Sequence, residues 1–68
     1  MPIVRVSLAT GRSSAQKQEA ARAITRVLVE HLDAHAEHVY VLFEDIDPDH
    51  WSVGGETVTE RKRKRGET

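Results

Sequence analysis

Two strand-like runs flank one long stretch of helical periodicity, and this order constrains the fold more than any other feature. In the first run, residues 2–8, apolar side chains occupy every second position, at Val4, Val6 and Leu8, which is the period of a half-buried strand. The second run, residues 39–44, reads Val-Tyr-Val-Leu-Phe-Glu and predicts another strand. Strand, helix, strand in this order predicts a βαβ unit with parallel strands and a right-handed crossover.

The intervening helix is predicted to run from Ser14 to about Asp33. Ser13 stands three residues ahead of Gln16, which matches the capping box at the start of a helix. Apolar residues then recur at helical spacing. We expect one face of the helix to carry them together: Ala20, Ala23, Ile24, Val27, Leu28 and Leu32.

The end of the chain predicts a hairpin over residues 50–58, with Gly54-Gly55 at its turn. The predicted fold class is therefore α/β: a small βαβ unit with parallel strands and a C-terminal hairpin. A chain of 68 residues without cysteine buries only about 60% of its unfolded surface and has no disulfides. We therefore expect it to gain stability by assembling into an oligomer.

The sequence also indicates where the protein is located and which classes of partner it can bind. No apolar run is long enough for a membrane span, the start does not resemble a signal peptide, and the absence of cysteine fits a reducing cytoplasm. Residues 59–68 carry five basic and two acidic side chains. The five basic side chains occupy residues 61–65. We interpret this basic cluster as a solvated, partly frayed tail; the alternative is a patch that binds nucleic acid or an anionic surface. No nucleic-acid module adjoins it, so we expect no nucleic-acid partner and no membrane.

Pro2 is the most informative candidate for chemistry. Removal of Met1 would leave a secondary amine at the start of a strand. A free α-amino group has an ordinary pKa of about 7.7–8.0, and an apolar site or a nearby cation lowers it. Such an amine can serve as a base near neutral pH. The alternative is that Pro2 only begins a strand, where a missing amide donor is tolerated.

Three further features each allow two interpretations. Arg12 precedes a helix amino terminus, where an arginine and free amides suit a carboxylate, although it could equally be a surface arginine. Trp51 could be a packing anchor, an apolar wall of a site, or both. The spacing of His31, His35 and His38 allows a metal site, but histidines near a helix carboxyl end are also favoured by the helix dipole. We predict no metal.

Taken in order, these stretches resemble the 4-oxalocrotonate tautomerase family. The resemblance covers residues 1 to about 63, which we predict to form a tautomerase-like domain followed by a basic tail, residues 64–68. Four stretches carry it: Met1-Pro2-Ile3, Gly11-Arg12-Ser13 with Gln16-Lys17, Leu32-Asp33-Ala34, and His50-Trp51-Ser52-Val53-Gly54-Gly55-Glu56. The last is the most specific, because an aromatic residue followed by two residues and Gly-Gly-Glu is typical of the family.

The resemblance implies a homohexamer, a trimer of dimers, whose substrate is a small carboxylate. It implies that Met1 is removed and that Pro2 then moves a proton on an unsaturated 2-hydroxy or 2-oxo acid. Arg12 would bind a substrate carboxylate, and Trp51 would take the place of the aromatic residue that lines the pocket. The resemblance implies no metal and no organic cofactor.

One position departs from the family pattern. The best-studied members carry a second arginine on the second strand, supplied by a neighbouring subunit, and this sequence has Tyr40 there. Tyrosine donates one hydrogen bond and cannot grip a carboxylate with two. We therefore expect Tyr40 to contact the substrate but to stabilise a developing enolate less than an arginine would. Arg5 is an alternative source of the missing positive charge. We also expect a smaller or monocarboxylic enol to be preferred over 2-hydroxymuconate.

Two other functions stay open at this point. The first is another Pro2-dependent reaction on a small carboxylate, such as hydration, dehalogenation or decarboxylation. The second is a non-catalytic scaffold that binds small acids.

Overall fold

The computed structural model describes residues 1–66 of the chain and contains a βαβ unit followed by a C-terminal arm, residues 47–66. Strand β1 (Ile3–Ala9) and strand β2 (Tyr40–Ile46) are neighbours and run parallel, with Ile3 opposite Tyr40 and Ala9 opposite Ile46. Two short strands nearer the C-terminus pair antiparallel. The predicted parallel unit and C-terminal hairpin are therefore confirmed. The elements in chain order are β1 (Ile3–Ala9), α1 (Ser14–Leu32), a 3₁₀ turn (Ala36–His38), β2 (Tyr40–Ile46), a 3₁₀ turn (Pro48–His50), β3 (Ser52–Val53), β4 (Glu56–Thr57) and α2 (Val58–Lys64).

Local signals fix both ends of α1. The Ser13 hydroxyl accepts the Gln16 amide at 3.1 Å, and the Gln16 side chain accepts the Ser13 amide at 2.8 Å, which completes the predicted capping box. At the other end Asp33 adopts a left-handed conformation with φ 55°, and its N–H bonds to the Leu28 carbonyl. A residue in this conformation cannot continue the helix, so α1 ends one residue before the predicted boundary.

The apolar stripe predicted for α1 is only partly covered by the sheet. Ile24 and Leu28 are half-buried and buried, as expected of the face against the sheet, but Ala20, Ala23 and Val27 are exposed. At 100° per residue, Val27 lies a quarter-turn or more away from the direction of Leu28. The six apolar residues lie within about half of the helix circumference. Of these, Ile24 and Leu28 are removed from solvent, and Leu32 is exposed at the helix end.

The sheet also has one covered and one uncovered side. Along β1 and β2 the half-buried positions alternate with exposed ones, as expected when one face packs on a helix and the other does not. The uncovered side, called here the open sheet face, consists of Ile3, Arg5, Ser7, Tyr40, Leu42 and Glu44. Three of these are large apolar or aromatic side chains between 44% and 57% exposed.

The C-terminal arm contains a helix that the sequence analysis did not predict. Gly54 and Gly55 take positive φ values of 61° and 89° in the turn between β3 and β4, which only glycine adopts easily. The arm continues as α2, so residues 61–64 are helical and not part of a frayed tail. A second capping box, between Thr57 and Glu60, starts this helix. The predicted division after residue 63 falls within α2, and residues 67 and 68 of the predicted tail lie outside the described part.

The chain is extended for its size. It measures 44 × 24 × 16 Å with a radius of gyration of 15.4 Å, whereas a compact domain of this length has about 11 Å. Its accessible surface is 5305 Å², against about 4,300 Å² for a folded monomer of this mass. The arm packs mainly within itself. A single chain therefore leaves about 1,000 Å² more surface uncovered than a folded monomer of this mass.

Candidate active site

Pro2 is fixed by its carbonyl and not by its nitrogen. The Pro2 carbonyl accepts a hydrogen bond from the Tyr40 amide at 3.0 Å, one step ahead of the β1–β2 ladder. The ring is half-buried, and the residue before it, Met1, is 76% exposed. The proline nitrogen takes no part in the hydrogen-bond ladder of the sheet.

Tyr40 begins β2 directly beside Pro2. It stands in register with Ile3 and is 48% exposed, as a member of the open sheet face. Its backbone therefore forms hydrogen bonds within the sheet, while its phenol is available to solvent or to a neighbouring chain. Alternation along the strand explains the placement, because Val41 on the next position is half-buried.

Arg12 lies beyond the carboxyl end of β1. One guanidinium nitrogen donates to the Ala9 carbonyl at 3.3 Å, which keeps the group at this end of the strand. Arg12 forms no ion pair with any residue in the 1–66 range. The first turn of α1 that follows carries no acidic side chain. A cation beside an uncompensated helix amino terminus favours an anion.

A salt bridge supports the same end of the sheet. The Lys17 ammonium contacts the Asp45 carboxylate at 2.6 Å and so joins the first turn of α1 to the last residues of β2. The Thr10 amide also donates to the Ile46 carbonyl at 3.1 Å. The loop that carries Arg12 is therefore attached to β2 at both of its ends.

Trp51 follows the carboxyl end of β2 on the arm. Its carbonyl accepts the Val58 amide at 2.7 Å, which closes the base of the hairpin. Its side chain is 36% exposed, and Val53 on β3 is 45% exposed. In a chain whose arm packs mainly on itself, this exposed aromatic and aliphatic surface is available to another chain.

The four candidate residues do not come together within one chain. Pro2 and Tyr40 lie at the amino ends of the two parallel strands, whereas Arg12 and Trp51 follow the carboxyl ends. The strand between them spans on the order of 20 Å at about 3.3 Å per residue. The structure thus presents two candidate half-sites: an amine end, defined by Pro2 and Tyr40, and a cation end, defined by Arg12 and Trp51.

The histidines form no metal site in the described chain. The rings of His35 and His38 meet edge to face with centroids 5.8 Å apart. Across residues 1–66, no group of three or more histidine, aspartate or glutamate side chains is placed to hold a metal ion.

The arm carries charged groups whose placement the sequence analysis missed. A recess of about 180 Å³ is lined by Glu56, Arg61, Lys64 and Arg65. The Glu56 carboxylate accepts a hydrogen bond from Lys64 and raises the pKa of that ammonium. The spacing of Thr57 and Glu60, which matches the capping box used to predict α1, could have revealed this helix.

Known proteins resemble this chain in sequence. Residues 2–61 match the family described as Tautomerase enzyme. A probable tautomerase of Ralstonia nicotianae is 40% identical over 55 residues, 81% of this chain and 85% of that protein. A 2-hydroxymuconate tautomerase of a Pseudomonas species is 32% identical over 63 residues, 93% of this chain and all of that protein.

Solved structures agree with the fold. One of the 4-oxalocrotonate tautomerase isozymes of Methylibium petroleiphilum superposes with a TM-score of 0.87 at 35% identity, covering 93% of this chain and 98% of that one. A chain of a heterohexameric 4-oxalocrotonate tautomerase of Chloroflexus aurantiacus gives a TM-score of 0.82 at 33% identity, covering 88% of this chain and 97% of that one.

No helix in the described part of the chain has the length and apolar character to cross a membrane.

The fold and the half-sites define a class of small βαβ protomers with a proline at the head of the first strand. Within that class, the chain belongs to the 4-oxalocrotonate tautomerase family, and it is an isomerase with tautomerase activity.

Proposed function

We propose that the chain is a tautomerase that moves a proton on an unsaturated 2-hydroxy or 2-oxo acid, with Pro2 as the acid–base group after Met1 is removed. Arg12 binds the substrate carboxylate, Trp51 forms an apolar wall, and Tyr40 donates a hydrogen bond to the developing enolate. The family membership supports the reaction type, and the geometry of Pro2 supports the role of its nitrogen. The cytoplasmic location stays a prediction.

One observation carries the proposal: the sheet fixes the Pro2 ring through its carbonyl while its nitrogen takes no part in the hydrogen-bond ladder. Met1, which holds that nitrogen in an amide, is 76% exposed. Its removal costs almost no packing and converts the nitrogen to a secondary amine. A strand held by backbone hydrogen bonds positions this amine more precisely than a free terminus could, which general acid–base catalysis requires.

The half-sites support an assembly in which neighbouring copies complete each active site. A two-fold axis that sets two β1 strands antiparallel brings the amine end of one copy to the cation end of the other. The free edge of β1 in the two-stranded sheet permits this contact. A related tautomerase is a heterohexamer, and we propose a homohexamer, a trimer of dimers, for this chain.

The proposed reaction requires only proton transfers. The Arg12 guanidinium of one copy holds the substrate carboxylate through charge-assisted hydrogen bonds. The Pro2 amine of the neighbouring copy removes a proton from the enol hydroxyl, and the electron pair shifts to form the 2-oxo group. The protonated amine then returns a proton to carbon, so the proton count of the substrate is unchanged. Trp51 excludes water from the amine, and a dry site lowers the pKa of its conjugate acid.

An ultraviolet assay of enol ketonisation tests the proposal. The protein is first checked by intact mass for loss of Met1, and then supplied with 2-hydroxymuconate and with phenylenolpyruvate, a monocarboxylic enol. We expect turnover that Pro2→Ala lowers by at least about 100-fold, the usual contribution of a positioned acid–base group. Pro48→Ala changes the only other proline, in the 3₁₀ turn, and should retain activity.

The remaining outcomes separate the alternatives. Turnover unaffected by Pro2→Ala would contradict the role of the amine. No turnover on either enol, with a free Pro2 confirmed by mass, would favour hydration, dehalogenation or decarboxylation, and after these a binding scaffold.

A further inference from the structure

The open sheet face carries one positive and one negative side chain among apolar neighbours. Arg5 lies opposite Leu42, and Glu44 lies opposite Ser7, one side-chain repeat further along the strands. The Ser7 hydroxyl donates to a Glu44 carboxylate oxygen at 2.9 Å and so helps to orient that carboxylate. The two charges thus sit diagonally across the face, Arg5 on one strand and Glu44 on the other.

Neither charge has an ionic partner within the chain. Among residues 1–66, Arg5 makes no hydrogen bond or ion pair, and the only interaction of the Glu44 side chain is with Ser7. The face around them exposes Ile3, Tyr40 and Leu42. An apolar face of this kind requires a cover, and covering it would bury both charges. Buried charges are costly unless they are paired.

We propose that the cover is a second copy of this chain, bound through a contact separate from the β1-edge contact proposed above, in which the Arg5 guanidinium of one copy pairs with the Glu44 carboxylate of the other. A two-fold axis through the midpoint of the diagonal exchanges the two positions, so each interface contains two reciprocal pairs. The face is therefore complementary to itself in charge as well as in apolar character. The extended surface of the single chain, 5305 Å², is consistent with a protomer that requires such a partner.

Charge reversal with mixing of chains tests the pairing. In Arg5→Glu both positions are acidic, and in Glu44→Arg both are basic, so each variant repels its own copies. We expect each to weaken self-association by at least about 30-fold, because a buried charge loses its partner. Mixing the two variants places acidic against basic faces, and we expect hetero-oligomers that associate within about threefold of the natural chain. Sedimentation velocity across a concentration series measures both effects.

Mixing also distinguishes pairing between copies from pairing within one chain. If Arg5 and Glu44 paired within the same chain, each single variant would stay defective in the mixture, and only the double variant Arg5→Glu/Glu44→Arg would recover. That result would overturn the proposal. So would self-association unchanged by either reversal, or a natural chain that is monomeric at micromolar concentration.

A control variant and a second readout keep the test decisive. Arg26→Glu reverses an exposed charge on α1 that lies about 160° around the helix from Leu28, and it should leave association unchanged. If either reversed chain does not fold alone, recovery of helical circular dichroism on mixing replaces sedimentation as the readout, and absence of recovery counts against the pairing. None of these outcomes depends on catalysis by Pro2.

Discussion

The carbonyl of Pro2 accepts the backbone N–H of Tyr40 at 3.0 Å, so the proposed base and the first residue of β2 are held together at one end of the sheet. The guanidinium of Arg12 is held at the opposite end through the Ala9 carbonyl. Because β1 separates the two ends, the proposed site needs two copies of the chain. Catalysis and assembly should therefore fail or recover together, and mixed oligomers can show this.

Mixing Pro2→Ala chains with Arg12→Ala chains should restore a kcat/KM that neither variant reaches alone. Each proposed site takes Pro2 from one copy and Arg12 from another. In an equal mixture refolded to random oligomers, about one site in four receives both natural residues. We expect about a quarter of the natural kcat/KM per site, measured with the enol ketonisation assay at substrate concentrations below KM, where sites without Arg12 contribute little. Refolding each variant separately is the control, and a mixture no more active than its components would show that sites do not combine residues from two copies.

Arg12→Ala in every copy should raise KM more than it lowers kcat. The guanidinium binds the carboxylate, which is present in the ground state and the transition state alike. Loss of a hydrogen bond to a charged group costs about 1.5–3 kcal/mol, or roughly 10- to 150-fold in KM. Arg26→Ala, which removes an exposed arginine of α1, is the matched control. A fall in kcat with KM unchanged would assign Arg12 to the chemical step instead.

Tyr40 should determine the choice between monocarboxylic and dicarboxylic substrates. Tyr40→Phe removes the phenolic donor and should lower kcat by about 10- to 100-fold if that donor stabilises the enolate, a smaller loss than for an ionic donor. Tyr40→Arg adds a group that can grip a second carboxylate with two hydrogen bonds, and should shift kcat/KM toward 2-hydroxymuconate relative to phenylenolpyruvate. Equal effects of Tyr40→Arg on both substrates would remove Tyr40 from the selection of substrate.

Local signals in the sequence predicted the elements of the chain well. Ser13 and Gln16 predicted the start of α1, the alternation along residues 2–8 predicted β1, and Gly54-Gly55 predicted the hairpin turn. Each of these structures is determined by residues a few positions apart, so the local sequence contains the information. Thr57 and Glu60 carried the same kind of signal for α2, and the run of basic residues after them obscured it.

Contacts between chains were harder to predict. Periodicity placed Ala20, Ala23 and Val27 on one apolar face of α1, but periodicity detects apolar positions without showing which partner covers them. These residues are exposed in the single chain. Likewise, the order of Pro2, Arg12, Tyr40 and Trp51 in the sequence did not reveal that they divide between two ends of one sheet. That division depends on parallel strands and follows only from the three-dimensional arrangement.

Gly55→Ala should destabilise the arm through backbone strain alone. Gly55 has φ 89°, and no atom lies within 4 Å of an added Cβ, so the substitution introduces no collision. A non-glycine residue in such a conformation costs about 1–2 kcal/mol, which lowers Tm by several degrees in a small domain. Thermal unfolding followed by circular dichroism measures it, with Ser52→Ala in the same hairpin as control. An unchanged Tm would mean that the turn takes another conformation.

The start of α2 should weaken as the pH falls. The carboxylate of Glu60 accepts hydrogen bonds from the backbone N–H and the hydroxyl of Thr57, at 3.1 and 3.0 Å. The backbone bond, followed by the hydroxyl bond, lowers the pKa of Glu60 below its ordinary value. A lowered pKa in the folded state means that the stabilisation is present above the ordinary value and is lost as the pH falls through the lowered one.

Amide hydrogen exchange across Val58–Lys64 measures this effect. Protection should decline on acidification in the natural chain once intrinsic exchange rates are corrected for pH. Glu60→Gln keeps a neutral acceptor for both Thr57 donors, so it should retain part of the protection and lose this dependence on pH. Lys64 provides a check at high pH. Glu56 raises the pKa of the Lys64 ammonium, so this group should lose its contribution to the stability of α2 only at alkaline pH. Protection that declines equally in the natural chain and in Glu60→Gln would place the acid-sensitive group elsewhere in the arm.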